Sequence, residues 1–170
     1  GTLMYVNFIF VAIFLGYSIG SAPIVSYHYG ARNSEELKNL LTKSLKMIGV
    51  WGVALFALAQ LIASPLARIF VGYDPNLFDL TRHGFRIFCL AFLVNGFNIY
   101  GSSFFTALNN GLLSALISFL RTLVFQIASV LLLPMIFGID GIWGAVFVAE
   151  ILTLCVTIIC LAKKQKVYHY

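Results

Sequence analysis

Two charged residues, Arg121 and Glu150, stand inside long runs that hold no other charge. A guanidinium and a carboxylate within reach of each other form an ion pair, and a carboxylate held in this way can also take up a proton or bind a cation. A turn signal at residues 137–141 (FGIDG) separates the two residues and predicts that their helices are neighbours. We therefore expect an Arg121–Glu150 pair that either fixes helix packing or relays a proton or cation, with Glu150 as the carrier.

Polar side chains form a second cluster earlier in the chain. Asn95 and Asn98 are three residues apart and so share one face of a helix, and Tyr100 follows closely. Gln126, in a later apolar run, could line the same space. Amides within apolar helices face a partner helix or a wet cavity. The cluster therefore predicts either hydrogen bonds between helices or a cavity for a substrate or a cation.

The first apolar run carries two glycines and a proline. Gly16 and Gly20 are four residues apart, which is the small-xxx-small spacing that permits close packing of helices. Pro23 removes a backbone hydrogen bond and is expected to kink the helix. Broken helices often line transport sites, but a kink that serves packing alone is at least as common.

The sequence contains none of the motifs that mark common enzyme sites. It has no HExxH motif, no nucleophile elbow and no Walker loop. Cys89, Cys155 and Cys160 lie in apolar runs without the spacing of metal ligands, and we interpret them as packing residues. We expect no catalytic residue, no metal site and no organic cofactor.

The amino-acid composition restricts the structural elements that can position these residues, because the chain is very apolar. Of the 170 residues, 61% are hydrophobic and only 10% are charged, against about 25% charged in an average soluble domain. So few polar residues cannot cover a wet surface, which excludes a soluble enzyme and a disordered chain and predicts a protein whose solvent is lipid. The net charge of +5 is concentrated in a few short runs and indicates membrane topology, with no nucleic acid as partner.

The uncharged runs divide the chain into five membrane spans. A helix needs about 20 residues to cross the hydrocarbon layer, and the run from 87 to 120 is long enough for two helices, with a turn signal at residues 109–111 (NNG). Transmembrane strands would alternate polar and apolar residues, which runs such as residues 130–133 (VLLL) do not. The sequence therefore predicts an all-α membrane protein in which residues 1–170 form one helical unit. The five spans are expected near residues 4–28, 46–68, 86–108, 112–136 and 141–162.

Basic residues in the loops predict the orientation of these spans. One side of the membrane collects Arg32, Lys38, Lys43, Lys46, Lys163, Lys164 and Lys166, and the other collects Arg68, Arg82 and Arg86. The positive-inside rule puts the larger set in the cytoplasm, so the chain starts outside and ends inside. Because the chain begins with Gly1 and shows no signal peptide, we expect it to be the C-terminal part of a longer membrane protein.

Several segments, taken in order, resemble the C-terminal half of a multidrug and toxic compound extrusion (MATE) transporter. Residues 20–33 (GSAPIVSYHYGARN) are similar to the family's small-residue and proline signature, and residues 65–70 (PLARIF) with the following Asp74–Pro75 are similar to its outer loop. The helix of Arg121, and residues 137–145 (FGIDGIWGA) with Glu150, resemble its last two spans. The resemblance covers nearly the whole chain and looks most like the bacterial branch of small multidrug exporters.

This resemblance implies that the spans are helices 8 to 12 of a twelve-helix protein and form most of one six-helix lobe. The partners would be the lipid bilayer of the bacterial inner (plasma) membrane, the missing N-terminal lobe of the same polypeptide, and small cationic or amphipathic substrates. Export would be driven by inward movement of protons or sodium ions. Some members carry an acidic cation-binding residue where this chain has Asn95, and a neutral amide cannot take up a proton, although its oxygen could bind sodium. Coupling would then rest on Glu150, on acidic groups in the missing lobe, or on both.

Two other functions are compatible with the same residues. A lipid-linked oligosaccharide flippase has a related fold and would be favoured by a large cationic cavity suited to pyrophosphate, whereas this sequence places one arginine within the spans. A membrane anchor or assembly subunit without transport of its own would suit glycine-rich helices and an Arg121–Glu150 pair equally well.

Overall fold

Five helical spans make up the fold in the computed structural model, which describes residues 2–168. No strand occurs within those residues, so the predicted all-α membrane fold is confirmed. The elements are α1 (Thr2–Gly30), α2 (Ser34–Val71), α3 (Pro75–Phe88), a 3₁₀ segment (Cys89–Leu93), α4 (Asn95–Ala107), α5 (Gly111–Phe119), a π-helical segment (Leu120–Phe125), α6 (Gln126–Phe137) and α7 (Ile139–Tyr168). Helices α3 and α4 with the 3₁₀ segment form the third span, and α5 and α6 with the π-helical segment form the fourth.

The helices extend beyond the residues that the uncharged runs marked as spans. Helix α2 begins at Ser34 and the third span begins at Pro75, whereas the uncharged runs within them begin near residues 46 and 86. Helix α2 has 38 residues and is therefore about 57 Å long, against about 30 Å of hydrocarbon. Because the helix is longer than the hydrocarbon is thick, the first turns of α2, with Lys38 and Lys43, can lie in the polar interface.

Side-chain caps set the beginnings of α2 and α3. Asn33 Oδ1 accepts a hydrogen bond from the backbone N–H of Glu36 at 3.2 Å. Asp74 Oδ1 accepts from the backbone N–H groups of Asn76 and Leu77 at 3.0 and 3.3 Å. Each cap satisfies backbone donors that the first turn of a helix leaves unpaired, which is why the chain can leave its turn and enter a helix at these residues.

We expect Asp74→Ala to lower the free energy of unfolding by about 1 kcal/mol, because it removes the cap of α3. Asp79→Ala is the matched control: its carboxylate lies 3.5 Å from Arg82 on the same helix and is exposed, and such a pair contributes about 0.3–0.5 kcal/mol. Thermal unfolding of the two purified variants compares the losses. Equal losses would show that the Asp74 cap does not stabilise the helix.

The third span lies at the centre of the bundle. Two-thirds of its most apolar stretch is buried inside the protein, whereas no other span exceeds 28%. Helix α4 of this span contacts α1, α2, α5 and α7. Aromatic side chains pack around the third span. The ring centroids of Phe10 and Phe92, for example, are 4.8 Å apart. The residues of α4 are therefore held by neighbours on nearly every side.

Glycines allow α4 to approach its neighbours closely. A methyl group built at Gly96 would meet the ring of Phe14 of α1 and the side chain of Ile48 of α2, and one built at Gly101 would meet the side chain of Thr157 of α7. Interiors packed at native density do not accommodate an extra methyl group without movement. These glycines therefore fix the distance between α4 and the helices that face it.

Contacts near the ends of the spans agree with five membrane crossings. His83, in the first half of the third span, lies 2.9 Å from Asp140, at the start of the fifth. Ser26, near the end of the first span, donates a hydrogen bond to the carbonyl of Ala107 at the end of the third, at 2.8 Å. Spans that alternate in direction bring these two pairs of residues to opposite ends of the bundle.

Candidate functional site

The charges of Arg121 and Glu150 meet inside the bundle. Arg121 Nε donates to Oε1 and Oε2 of Glu150 at 2.8 and 3.1 Å. The side chain of Glu150 is 5% exposed and that of Arg121 is 27% exposed. Because an unpaired charge at mid-membrane costs about 2.5–3.5 kcal/mol on insertion scales, the pair makes both charges tolerable at this depth.

Each partner of the pair comes from a distinct helical environment. Glu150 lies on the regular helix α7, whereas Arg121 lies in the π-helical segment Leu120–Phe125. Insertions of this kind widen one turn of a helix and occur frequently at functional sites. The wider turn changes the phase of the fourth span between α5 and α6, so that Arg121 and Gln126 can line the same space.

Asn98 completes the coordination of the carboxylate. Its Nδ2 donates to Glu150 Oε2 at 2.7 Å and to the backbone carbonyl of Glu150 at 2.9 Å. Its Oδ1 accepts from Thr157 Oγ1 at 3.3 Å. Asn98 is fully buried, and these bonds fix which way its amide points. The Glu150 carboxylate is thus held from one side by a charge and from the other by an amide.

Asn95 lies where the third span is interrupted. The 3₁₀ segment Cys89–Leu93 and Val94 separate α3 from α4, and Asn95 is the first residue of α4. The residue is 2% exposed, and its Oδ1 has no hydrogen-bond partner among the residues that the structure describes. A buried carbonyl oxygen without a donor is costly, by about 1–3 kcal/mol, unless something outside these residues binds it.

A cavity of about 250 Å³ joins four of the residues that the sequence singled out. Asn95, Arg121, Gln126 and Glu150 all line it. Asn7 of α1 lines it as well and was not predicted, although it is the only amide in the first apolar run and could have been found by that criterion. The cavity therefore presents three amides and an ion pair within apolar helices.

A second cavity of about 280 Å³ lies on the other side of Arg121, which borders both. Hydroxyl groups dominate its polar lining. Ser102 Oγ lies 3.0 Å from both Ser114 Oγ and Ser118 Oγ, and Thr106 Oγ1 donates to Ser114 Oγ at 2.6 Å. These bonds join α4 to α5, and the lining of the cavity includes both Arg121 and Thr106, which lies near the end of α4.

Tyr100 lies away from the lining of both cavities. Its ring is buried and packs against Tyr17, with centroids 6.0 Å apart, and the Tyr17 hydroxyl lies 2.8 Å from Ser44 Oγ. Residues two positions apart on a helix point in different directions. Asn98 and Tyr100 therefore face α7 and α1–α2 respectively, and the structure does not bring Tyr100 to the cavity of Asn95.

Gly16, Gly20 and Pro23 of α1 are exposed in the part of the chain that the structure describes. A methyl group built at Gly16 or Gly20 would meet no atom within 4 Å, and Pro23 is exposed within an otherwise continuous helix. The close packing and the kink inferred from these residues remain predictions.

The chemistry that this arrangement can perform is reversible binding. The described residues hold no group of three metal-ligating side chains that could bind a metal ion. The buried carboxylate can exchange its arginine partner for a proton or another cation, and the amides can donate and accept hydrogen bonds. Binding of a cation at the carboxylate would change the charge of the cavity, and binding of a ligand to the amides would change its hydrogen bonding.

The chain resembles a known family in sequence and solved transporters in fold. A family model described as MatE matches residues 1–132 of the chain. No curated protein matches the chain in sequence. The chain is similar to several solved transporters that share its helical arrangement.

Two of these are conformations of a multidrug resistance MATE family transporter of the MOP superfamily. The inward-facing structure is 18% identical, with a TM-score of 0.90 over 98% of this chain and 39% of that one. The outward-facing structure is 17% identical, with a TM-score of 0.90 over 99% and 38%.

A third similar structure is a MOP superfamily transporter from Pyrococcus furiosus, described as having a binding pocket of reversed polarity that suggests a different function. It is 18% identical, with a TM-score of 0.90 over 99% of this chain and 38% of that chain. Identities this low establish the fold alone. The chain spans less than two-fifths of the length of these transporters.

Proposed function

The chain belongs to the MATE family, and from that premise we propose that it is the C-terminal part of a secondary active antiporter. The antiporter exports cationic or amphipathic compounds in exchange for protons or sodium ions. One observation carries this proposal: a single cavity among apolar helices brings together Asn95, Arg121, Gln126 and Glu150. In an antiporter, binding of the ion must alter binding of the substrate. The Arg121–Glu150 pair in this cavity could couple the two, because both ligands would bind beside the same charges.

Competition for one carboxylate explains exchange. With Arg121 paired to Glu150 at 2.8 Å, the site has no net charge. A proton or sodium ion that binds Glu150 leaves one positive charge in the cavity, and a cationic substrate does the same. Because two excess positive charges within a few ångströms are strongly unfavourable in a low-dielectric region, ion and substrate bind in turn.

Asn95 supplies an acceptor that needs a partner. Its buried Oδ1 is unpaired among the described residues and borders the cavity. An amide oxygen can bind a sodium ion or accept a hydrogen bond from a substrate ammonium group. Such a bond would remove the desolvation penalty of the unpaired oxygen, so binding at this position gains free energy that an already paired amide would not provide.

For a protein of the bacterial inner membrane, as proposed here, the asymmetry of basic residues supports one orientation. Seven arginines and lysines lie at or near the ends of the five spans on one side of the membrane and three lie on the other, counted from the sequence. In this orientation α1 starts outside and α7 ends in the cytoplasm. The second cavity then lies on the cytoplasmic side of Arg121, because the loop after α4 faces that side.

Efflux of a fluorescent organic cation from drug-sensitive cells that express the full-length protein tests the proposed function. We expect Asn95→Leu and Gln126→Leu each to reduce efflux, since both substitutions remove a polar group from the cavity. Thr153→Val is the control, because Thr153 is buried on α7 and its hydroxyl donates only to the carbonyl of Ala149. Efflux by the parent no greater than by empty cells would contradict the proposal, and equal efflux by all three variants would exclude the cavity from the transport path.

A further inference from the structure

A groove between α2 and α7 lies apart from the two cavities of the proposed transport site. Its outer part has a volume of about 350 Å³ and its inner part about 260 Å³. The two parts share Leu45 of α2 and Ile158 and Leu161 of α7. They therefore form one continuous groove that runs along the bundle.

The groove is polar at one end and apolar along the rest of its length. Lys38 and Gln165 lie at its outer end, and Phe97 and Leu154 close its inner end. Thr157 is the one polar residue of the inner part, and its hydroxyl is already bound to Asn98. A molecule that fits the groove is therefore polar or charged at one end and hydrocarbon at the other.

The depth of the groove matches one leaflet of a bilayer. Its wall on α7 runs from Leu154 to Gln165, which is a rise of about 16 Å along the helix. The hydrocarbon layer is about 30 Å thick, so the groove ends near the membrane centre. A partner helix that crosses the membrane would contact the protein along the whole thickness of the hydrocarbon layer. An acyl chain of one leaflet extends through only half of that thickness.

The positive charge at the outer end of the groove favours a lipid with an anionic headgroup. Lys38 lies in the first turns of α2, and further basic residues lie on the same side of the membrane: Lys43, Lys46, Lys163, Lys164 and Lys166. Basic residues at this level attract anionic lipids. We propose that the groove binds one anionic phospholipid, with its phosphate at Lys38 and an acyl chain against α7. This site does not depend on the proposed transport function.

Native mass spectrometry of the full-length protein, titrated with phosphatidylglycerol or phosphatidylcholine, tests the headgroup contact. We expect phosphatidylglycerol to bind the parent more tightly than phosphatidylcholine does. Lys38→Ala is expected to weaken phosphatidylglycerol binding about fivefold, the effect of one lysine at a membrane surface. The control is Lys43→Ala, which removes the same charge from an exposed position of α2 outside the groove. It is expected to weaken phosphatidylglycerol binding less than Lys38→Ala does, because Lys43 does not line the groove.

A second pair of variants tests the acyl-chain contact. Ile158→Trp fills the groove where its two parts join, whereas Ile159→Trp adds the same bulk at a neighbouring, similarly exposed position of α7 outside the groove. Only Ile158→Trp is expected to reduce phosphatidylglycerol binding. The proposal is overturned if the two lipids bind equally, if Lys38→Ala and Lys43→Ala have the same effect, or if the two tryptophan variants do.

Discussion

Glu150→Gln is expected to lower the free energy of unfolding by about 3–5 kcal/mol, the typical loss when one partner of a buried ion pair is removed. Glutamine keeps the volume and can still bond to Asn98, but it leaves Arg121 without a counter-charge in an apolar region. The loss should therefore come from the arginine rather than from a packing defect. Thermal unfolding of the purified full-length protein measures it.

Two comparisons isolate this effect. Glu35→Gln makes the same substitution at an exposed position near the start of α2 and is expected to change stability by less than about 0.5 kcal/mol. The double variant Glu150→Gln with Arg121→Met removes both charges, and we expect it to recover most of the stability, since replacing both partners of a buried pair is often neutral or stabilising. A double variant that loses the sum of the single losses would contradict the account of the pair.

Gly101→Ala is expected to lower the free energy of unfolding by about 1–3 kcal/mol, the usual loss when a well-packed core receives an extra methyl group. The added methyl would overlap the side chain of Thr157, whose hydroxyl donates to Asn98 Oδ1. The substitution therefore disturbs both the α4–α7 contact and the amide that holds Glu150.

Gly144→Ala is the matched control for this substitution. Gly144 lies within α7, and a methyl group built there would meet only Ile87, at an ordinary contact distance of 3.9 Å. Because alanine favours helices over glycine by up to about 1 kcal/mol, we expect this variant to be as stable as the parent or more so. Thermal unfolding compares the two variants, and a Gly101→Ala protein as stable as Gly144→Ala would show that α4 and α7 are not closely packed.

The apolar runs were sufficient to predict five helices, because the length of a membrane span is set by the thickness of the bilayer. They also singled out Arg121 and Glu150, since charges are rare inside such runs. The short connection between α6 and α7 then implied that the two residues are close. This inference needed only the turn at residues 137–141, which brings neighbouring helices together whatever their detailed packing.

The sequence could not predict how the helices deviate from regular geometry. The 3₁₀ segment before Asn95 and the π-helical segment around Arg121 change the phase of each span, and the free energies that favour such segments come from tertiary packing rather than from local preference. Proximity in the sequence groups Tyr100 with Asn95 and Asn98, although the helical period alone separates the direction of its side chain from that of Asn98. The unpaired oxygen of Asn95 depends on what every neighbouring helix offers, which no local pattern contains.

The most direct test distinguishes a role of the Arg121–Glu150 pair in ion transport from a role in helix packing alone. Substrate-driven proton and sodium uptake is measured in liposomes that contain the full-length protein, the Glu150→Gln, Arg121→Met double variant, or the Glu35→Gln control. We expect the double variant, folded and stable, to show only the uptake of protein-free liposomes, while Glu35→Gln matches the parent. Uptake by the double variant equal to that of the parent would contradict the account and leave the pair a purely structural role.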